Sequence, residues 1–299
     1  MNLESELSLD GKVALVAGAT RGAGRAIARE LGHAGARVYV TGRSSGARPS
    51  PMNRPETIDQ TAAMILMEGG SAIAVRVDHA VKSEVRELLD RIREDEGRLD
   101  ILVNDIWGGD PLTEWGVPFW RHDLANGLDL LHQAVDTHII TSWHAAPLLN
   151  QTGGGLIVEV TDSVAARYRG SLFYDLAKSA VIRLALAKAE DLRSNGIAAI
   201  ALTPGFLRSE AVLDHFDVTE AHWRDAIAKD PHFAHSETPH YIGRGVVALA
   251  ADPDILARSG EALTSWRLAH TYGFTDLDGT QPDWGAYAKA EFGWAEEQS

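Results

Sequence analysis

The sequence contains 299 residues, of which 45% are apolar and 23% are charged, the ordinary balance of a globular protein. Its formal charge of -14 argues against a nucleic-acid partner, and no apolar run approaches the roughly 20 residues that span a bilayer. The absence of cysteine excludes disulfides and thiolate catalysis, and the 12 histidines form no close metal-ligand set. We therefore expect a cytoplasmic protein with no nucleic-acid, membrane or metal partner.

The first predicted strand, residues 13–16, is an apolar run that ends at a glycine-rich turn. The turn contains Gly18, Gly22 and Gly24, and the apolar spacing after it is helical. Glycines between a strand and a helix let the backbone approach a pyrophosphate, whose charge the helix N-terminus stabilises. A plain loop packed on a helix is the alternative, but the position of the turn favours a dinucleotide site.

The second predicted strand, residues 37–41, ends without an acidic residue. Sites for NAD usually place an acid there to bind the ribose 2′-hydroxyl, whereas an arginine suits a 2′-phosphate. This chain has Arg43 after the strand and Arg21 in the glycine turn, so NADP(H) is favoured over NAD(H). The alternative is that Arg43 is a solvated residue of the polar loop that follows.

Strands and helices continue to alternate along the chain. The predicted strands are residues 13–16, 37–41, 72–77, 99–103, 156–161, 197–202 and 261–265. The alternation predicts an α/β protein with a doubly wound parallel sheet of about seven strands and helices on both faces. Without an internal repeat or a linker, a single domain over residues 1–299 is expected. Because ligands bind at the carboxyl ends of such strands, one rim should carry Gly18, Asp78, Asn104, Ser163 and Pro204.

Tyr174 and Lys178 lie four residues apart in a segment, residues 173–193, that is predicted to be helical. At this spacing the two side chains share one face, and the ammonium would favour the phenolate and lower the pKa of the phenol. Ser163 precedes the pair and could hold a carbonyl oxygen while the tyrosine exchanges its proton. Many helices carry such a pair only as solvated side chains, so the interpretation depends on the rest of the chain.

Residues 206–240 are mixed in composition and are predicted to form a helical lid over the sheet rim. Their aromatic residues, Phe206, Phe216, Trp223 and Phe233, suggest an apolar pocket, although aromatic residues in a lid are as often packing. Residues 266–299 form a C-terminal extension, in which residues 271–285 are rich in glycine, aspartate and proline.

The ordered set of motifs resembles the classical short-chain dehydrogenase/reductase family over residues 9–265. It comprises the glycine turn, Asn104, Ser163, the Tyr174 and Lys178 pair and the Pro204 and Gly205 pair. The tail sequence Tyr-Gly-Phe-Thr-Asp-Leu-Asp-Gly is similar to the dehydrogenase/reductase member 1 type branch. The resemblance implies a Rossmann fold and hydride exchange between nicotinamide C4 and a carbonyl or carbinol carbon of a small molecule.

The resemblance also implies roles for individual residues. Tyr174 would be the general acid/base, Lys178 would lower its pKa and bind nicotinamide ribose hydroxyls, and Ser163 would hold the substrate oxygen. The cofactor contacts would be Gly18, Gly22 and Gly24 for the pyrophosphate, Asp78 for the adenine edge, Asn104 for the adenine-side ribose region, and Pro204 and Gly205 for the nicotinamide. A homodimer or homotetramer is expected through residues 128–149 and 173–193.

Three features depart from the family pattern. The usual Asn-Asn-Ala-Gly run after the fourth strand is replaced by residues 104–107, Asn-Asp-Ile-Trp. The interval from Ser163 to Tyr174 is about two residues short, so Thr161 and Asp162 compete with Ser163 on spacing. Where the family has an asparagine that anchors a proton-relay water this chain has Ala134, and Asp136 and His138 are the candidate substitutes.

These departures leave two alternatives to an oxidoreductase. One is a nucleotide-binding sensor or scaffold that keeps the fold but has little turnover. The other is a family member that performs isomerase or lyase chemistry with a bound cofactor. The presence of Ser163, Tyr174 and Lys178 together favours the oxidoreductase, because a pure binding protein has no evident need for all three.

Overall fold

The computed structural model describes residues 7–162 and 167–294. Strands and helices alternate from the start. The strands are β1 (Val13–Ala17), β2 (Arg37–Gly42), β3 (Ser71–Arg76), β4 (Ile101–Asn104), β5 (Gly155–Val160), β6 (Ile197–Thr203) and β7 (Ala262–Thr264). The helices are α1 (Gly22–His33), α2 (Ile58–Met67), α3 (Lys82–Glu96), α4 (Leu124–Leu131), α5 (Thr137–Gln151), α6 (Leu172–Leu192), α7 (Glu210–His215), α8 (Pro239–Ala251), α9 (Ser265–Tyr272) and α10 (Trp284–Phe292).

The seven strands form one parallel sheet in the order β3-β2-β1-β4-β5-β6-β7. β1 lies at the centre, where Val16 pairs with Val40 of β2 and with Val103 of β4. The order reverses between β1 and β4, which is the topological switch point at which α/β sheets bind ligands. The predicted doubly wound Rossmann sheet of seven strands is therefore confirmed.

Each face of the sheet is covered by helices because the strand side chains alternate in direction. In β1, Ala14 and Val16 pack against α1, α2 and α8, whereas Val13 and Leu15 pack against α3 and α5. All five residues of the strand are buried. This explains why the strands read as continuous apolar runs in the sequence.

The helical region before β5 is less regular than the sequence indicates. One helix over residues 128–149 was expected, but α4 and α5 are joined by a single π-helical segment, His132–Asp136. This segment contains Ala134, the position where the family has its asparagine. Hydrophobic periodicity does not distinguish a π turn from an α turn, so the sequence pattern could not reveal it.

The region of residues 206–240 and the C-terminal extension both contain short helices. Residues 206–240 form α7 and two 3₁₀ segments, Glu220–Ala228 and Pro231–His235. The C-terminal extension contains α9 and α10, each capped by a side chain, Thr264 and Asp283 respectively, and the residues 273–283 between them form neither helix nor strand. Among the described residues no helix combines the length and apolar character of a membrane span.

Candidate active site

The glycine turn between β1 and α1 is compact because two of its glycines have no room for a side chain. Gly18 has φ +95°, and a Cβ there would collide with the backbone carbonyl of Asp105. A Cβ on Gly24 would collide with the carbonyl of Gly18. The turn therefore brings the start of α1 against the end of β4, as the sequence predicts for a dinucleotide site.

The N-terminus of α1 holds a carboxylate in this structure. Glu210 of α7 accepts a hydrogen bond from the backbone N–H of Gly22 at 2.7 Å, and its other oxygen lies 3.3 Å from Nη1 of Arg25. Free N–H groups and the helix dipole attract anions to such an end. The contact shows that this N-terminus accepts an anionic group, which fits the predicted pyrophosphate position.

A cavity of about 370 Å³ lies at the carboxyl ends of the strands, beside this turn. Its wall includes these predicted site residues: Gly18, Arg21, Gly22, Arg43, Asp78, Tyr174, Lys178 and Pro204. Gly24 lies behind the wall, and Gly205 lines a second cavity next to the first. The structure thus brings together the predicted cofactor residues and the Tyr174 and Lys178 pair.

Asn104 does not reach this cavity. Its side chain is fully buried, and Nδ2 donates to Ser142 at 3.0 Å and to Oε1 of Glu159 at 2.8 Å. Glu159 also contacts Nδ1 of His138 at 2.6 Å and Nζ of Lys188 at 2.5 Å. The Asn104 side chain therefore belongs to a buried polar network outside the cavity wall, and the assignment of Asn104 to the cofactor stays a prediction.

The network around Glu159 also includes His138, one of the two candidate substitutes for the family asparagine. Burial alone would raise the pKa of Glu159, but Lys188 and His138 outweigh it and lower the pKa to about 2. His138 is committed to Glu159 and to the backbone carbonyl of Ile106, at 3.2 Å. Asp136 forms an exposed pair with His132. Neither Asp136 nor His138 lines the cavity, so neither takes the position proposed for it.

Tyr174 lies in the first turn of α6, and its hydroxyl donates a hydrogen bond to Oδ2 of Asp162. The rings of Trp107 and Trp115 lie 5.4 and 4.9 Å from its ring. Burial first, and then the charge of Asp162, raises the pKa of Tyr174 well above its ordinary value. The expectation that Lys178 lowers this pKa is wrong for this arrangement, because a carboxylate and not an ammonium contacts the phenol.

Lys178 lies one turn after Tyr174 and packs on the indole of Trp107. Its Nζ is 4.1 Å from the centre of the Trp107 ring and 5.6 Å from the centre of the Tyr174 ring. Burial lowers the pKa of Lys178, whereas Asp162 and Asp105 oppose that shift. The ammonium is therefore held between an aromatic face and two carboxyl groups at the cavity wall.

Asp105, which replaces a neutral residue of the family pattern, lines the same cavity. Burial raises the pKa of Asp105 to about 7, although Lys178 and the backbone N–H of Gly24 oppose the rise. A substantial fraction of this carboxyl is therefore uncharged near neutral pH. Its repulsion of a nearby pyrophosphate is smaller than that of a fully ionised carboxylate.

Ser163, the residue predicted to hold the substrate oxygen, lies outside the described residues, and its role stays a prediction. Of its two competitors, Thr161 donates its hydroxyl to the backbone oxygen of Lys178 at 2.8 Å. Asp162 instead contacts the Tyr174 hydroxyl, and Arg169 donates to the same carboxylate oxygen. The structure therefore places Asp162, and not Thr161, at the tyrosine.

A second cavity, of about 850 Å³, adjoins the first and shares Asp162, Tyr174 and Pro204 with it. Its aromatic lining is Trp115, Phe206, Trp266, Trp284 and Trp294, and its basic lining is Arg167, Arg169, Arg267 and His270. Three of these tryptophans come from the C-terminal extension, which sequence reasoning did not connect with the site. A tryptophan-rich tail after the last strand was the available signal.

Most of the aromatic residues predicted to line a pocket serve another purpose. Phe216, Trp223 and Phe233 pack against one another and against their neighbours as a separate small core. Only Phe206 of that group lines the second cavity. Residues 206–240 therefore contribute mainly a packed wall, and their opening as a lid stays a prediction.

Comparison with known proteins agrees with the family resemblance found in the sequence. The model of the short chain dehydrogenase family matches residues 12–217. The chain is 35% identical over 276 residues to dehydrogenase/reductase SDR family member 1 of Homo sapiens. The alignment covers 91% of this chain and 85% of that protein.

Two solved structures have similar folds. A 7 alpha-hydroxysteroid dehydrogenase complexed with NADH and 7-oxo glycochenodeoxycholic acid is 26% identical, with a TM-score of 0.71. The match covers 94% of this chain and 98% of that one. A structure from Beutenbergia cavernae with bound NADP is 25% identical, with a TM-score of 0.69, and the match covers 87% of this chain and 97% of that one.

Proposed function

Because this chain belongs to the short-chain dehydrogenase family and is an oxidoreductase, we propose that it transfers hydride between NADP(H) and a carbonyl or secondary alcohol. The observation that carries the proposal is one cavity that joins the glycine turn to Tyr174 and Lys178. A bound nicotinamide would supply or accept hydride at its C4 atom, and the chain's own residues would position the reactants and move the proton.

Each residue of the cavity has a task that follows from its position. Tyr174 would exchange a proton with the substrate oxygen, and Lys178 would bind the nicotinamide ribose hydroxyls. The N-terminus of α1 would hold the pyrophosphate, in competition with Glu210. Ser163 would hold the substrate oxygen. The presence of Tyr174 and Lys178 together at the cavity wall favours turnover over the sensor or scaffold alternative.

The preference for NADP(H) is supported by two arginines of the cavity wall. Arg43 donates to Gln133 at 3.2 Å, and Arg21 contacts the sulfur of Met52. Within residues 7–162 and 167–294, neither guanidinium has a carboxylate within ion-pair distance. Both are therefore available to a 2′-phosphate, which an arginine binds through charged hydrogen bonds. The relatives with bound NADP and NADH support a nicotinamide cofactor of either type.

The second cavity supports a substrate that is apolar and carries an acidic group. Its aromatic walls suit a large apolar body. Arg267 lines it without a carboxylate at ion-pair distance among the described residues. Arg167 stacks on Trp294 at 3.4 Å and has its pKa lowered by burial and by Arg169. Three arginines, Arg167, Arg169 and Arg267, outnumber the two carboxylates of the lining, Asp162 and Asp283, and a carboxylate on the substrate would compensate the remaining positive charge.

Turnover of a matched pair of ketones tests both parts of this proposal. With NADPH, benzoylbenzoic acid should show a lower KM than benzoylbenzamide, and Arg267→Gln should raise the KM of the acid alone, by about fivefold. The control is Arg183→Gln, which removes an exposed arginine of α6 outside the cavity. Equal KM values for acid and amide would contradict the acidic group, and a protein that binds neither NADPH nor NADH would contradict the function.

The predicted homodimer or homotetramer is supported by apolar side chains that remain exposed on the expected helices. Leu128 of α4 and Trp143 of α5 are 54% and 71% exposed, and Leu176 of α6 is also exposed. These side chains would contribute apolar contact area to an interface between subunits. We infer that a second copy of the chain covers these side chains. We also propose that the protein acts in the cytoplasm.

A further inference from the structure

Asp162 lies directly behind the hydroxyl of Tyr174. It follows β5 and lines both cavities. The Tyr174 hydroxyl and Nη2 of Arg169 both donate to its Oδ2 atom. An ionised carboxylate has no proton to donate, so the proton of this hydrogen bond belongs to the tyrosine. The phenol is therefore held in its neutral form, with its proton directed at a carboxylate.

This arrangement differs from the one that a tyrosine and lysine pair implies. A phenolate stabilised by Lys178 would take the substrate proton and keep it. Here Lys178 packs on Trp107, with its Nζ 5.6 Å from the centre of the Tyr174 ring. A neutral phenol can still accept a proton, provided that it releases its own to a base at the same time. Asp162 is the base in contact with it.

We propose that Asp162 is the proton acceptor behind Tyr174, so that the two residues form a relay in the oxidation of a secondary alcohol. This rests on the proposed function. In the step, the substrate O–H bond breaks and its proton bonds to the tyrosine oxygen. The original tyrosine proton moves to the Asp162 carboxylate, a C=O bond forms, and the carbinol hydride passes to C4 of the oxidised nicotinamide. Reduction of a carbonyl reverses each transfer.

Several charged groups surround Asp162 and Tyr174. Arg169 forms an ion pair with it, and Arg167 and Lys178 each interact with its charge. The charge of Asp110 also acts on Tyr174 and Lys178. Arg169 is the positioning residue, because its Nη2 donates to the same Oδ2 atom that accepts the hydrogen bond of the phenol.

Replacement of the carboxylate tests the relay. Asp162→Asn keeps the size of the side chain but cannot take the proton, so kcat for alcohol oxidation at neutral pH should fall about 100-fold. The affinity for NADP should remain near that of the wild-type protein. The rising limb of the pH profile should move to alkaline pH in this variant, because Tyr174 must then ionise. Asp191→Asn, at the exposed far end of α6, is the matched control.

Arg169→Gln provides a second, independent test. Loss of this cation, whose Nη2 donates to Oδ2 of Asp162, should move the rising limb of the pH profile for alcohol oxidation upward. A wild-type rate and profile in Asp162→Asn would overturn the relay. If that variant does not fold, an unmoved limb in Arg169→Gln would overturn it. Turnover by the wild-type protein tests the proposed function separately, since both variants are measured relative to it.

Discussion

Tyr174→Phe is expected to lose most of its turnover, at least about 100-fold in kcat, because the phenol at the cavity wall is the group assigned to proton exchange with the substrate. Affinity for NADPH should stay near normal, since the ring and its contacts with Trp107 and Trp115 are kept. Steady-state kinetics with a ketone and NADPH, together with a fluorescence titration of NADPH, measure the two effects separately.

Tyr168→Phe is the matched control for this variant. Tyr168 is 58% exposed and lines neither cavity, so removal of its hydroxyl should leave both kcat and affinity unchanged. Unchanged turnover in Tyr174→Phe would reject the tyrosine as the group that exchanges the proton. A parallel loss of cofactor affinity would show that the hydroxyl supports the structure of the cavity instead.

Arg43→Ala should weaken NADPH binding by about 10- to 100-fold, the usual contribution of hydrogen bonds to a charged group. Binding of NADH should change little, because NADH lacks the 2′-phosphate. Titrations of both cofactors, followed by tryptophan fluorescence, give the ratio of the two dissociation constants. The dissociation constant of NADH divided by that of NADPH should fall sharply in the variant.

The control for this substitution is Arg48→Ala, an exposed arginine in the same loop that does not line the cavity. It removes the same charge from the surface without touching the proposed phosphate position. An equal loss of affinity for NADPH and NADH in Arg43→Ala would contradict the 2′-phosphate assignment. It would indicate that Arg43 acts on the fold of the loop or on a part shared by both cofactors.

The sheet could be predicted well because its signals are local. Each parallel strand is buried on both faces and therefore reads as an apolar run, and polar or glycine residues mark its carboxyl end. The glycine turn was equally clear, since Gly18 and Gly24 are required by close backbone contacts. The contact of Gly24 with Gly18 lies within the motif itself, whereas the contact of Gly18 with Asp105 joins the ends of two strands that are far apart in sequence.

The site was less predictable where a side chain had alternatives at the same strand end. Asn104 was placed correctly at the end of β4, but the sequence does not show that Glu159, from the neighbouring strand, takes its amide. The predicted lowering of the pKa of Tyr174 was wrong for a similar reason. The expectation rested on Lys178 one turn away, whereas the shift depends on Asp162, which only tertiary structure brings into contact.

The lining of the second cavity could not be predicted from spacing at all. Trp266 and Trp284 reach the site from helices that follow the last strand, far along the chain from Tyr174. Aromatic residues of the lid were the more obvious candidates, yet Trp223 and Phe233 are buried among themselves. Whether an aromatic residue packs in a core or lines a binding cavity depends on its surroundings in the fold. The neighbouring residues in the sequence do not show those surroundings.

Transfer of deuterium from the cofactor to the substrate tests the central claim most directly. The protein would be incubated with NADPH deuterated at C4, separately on each face, and with a panel of ketones, and the products would be analysed by mass spectrometry. The account predicts a secondary alcohol with one deuterium on the carbinol carbon from one face only. Product alcohol that contains no deuterium from either face would contradict hydride transfer from the nicotinamide.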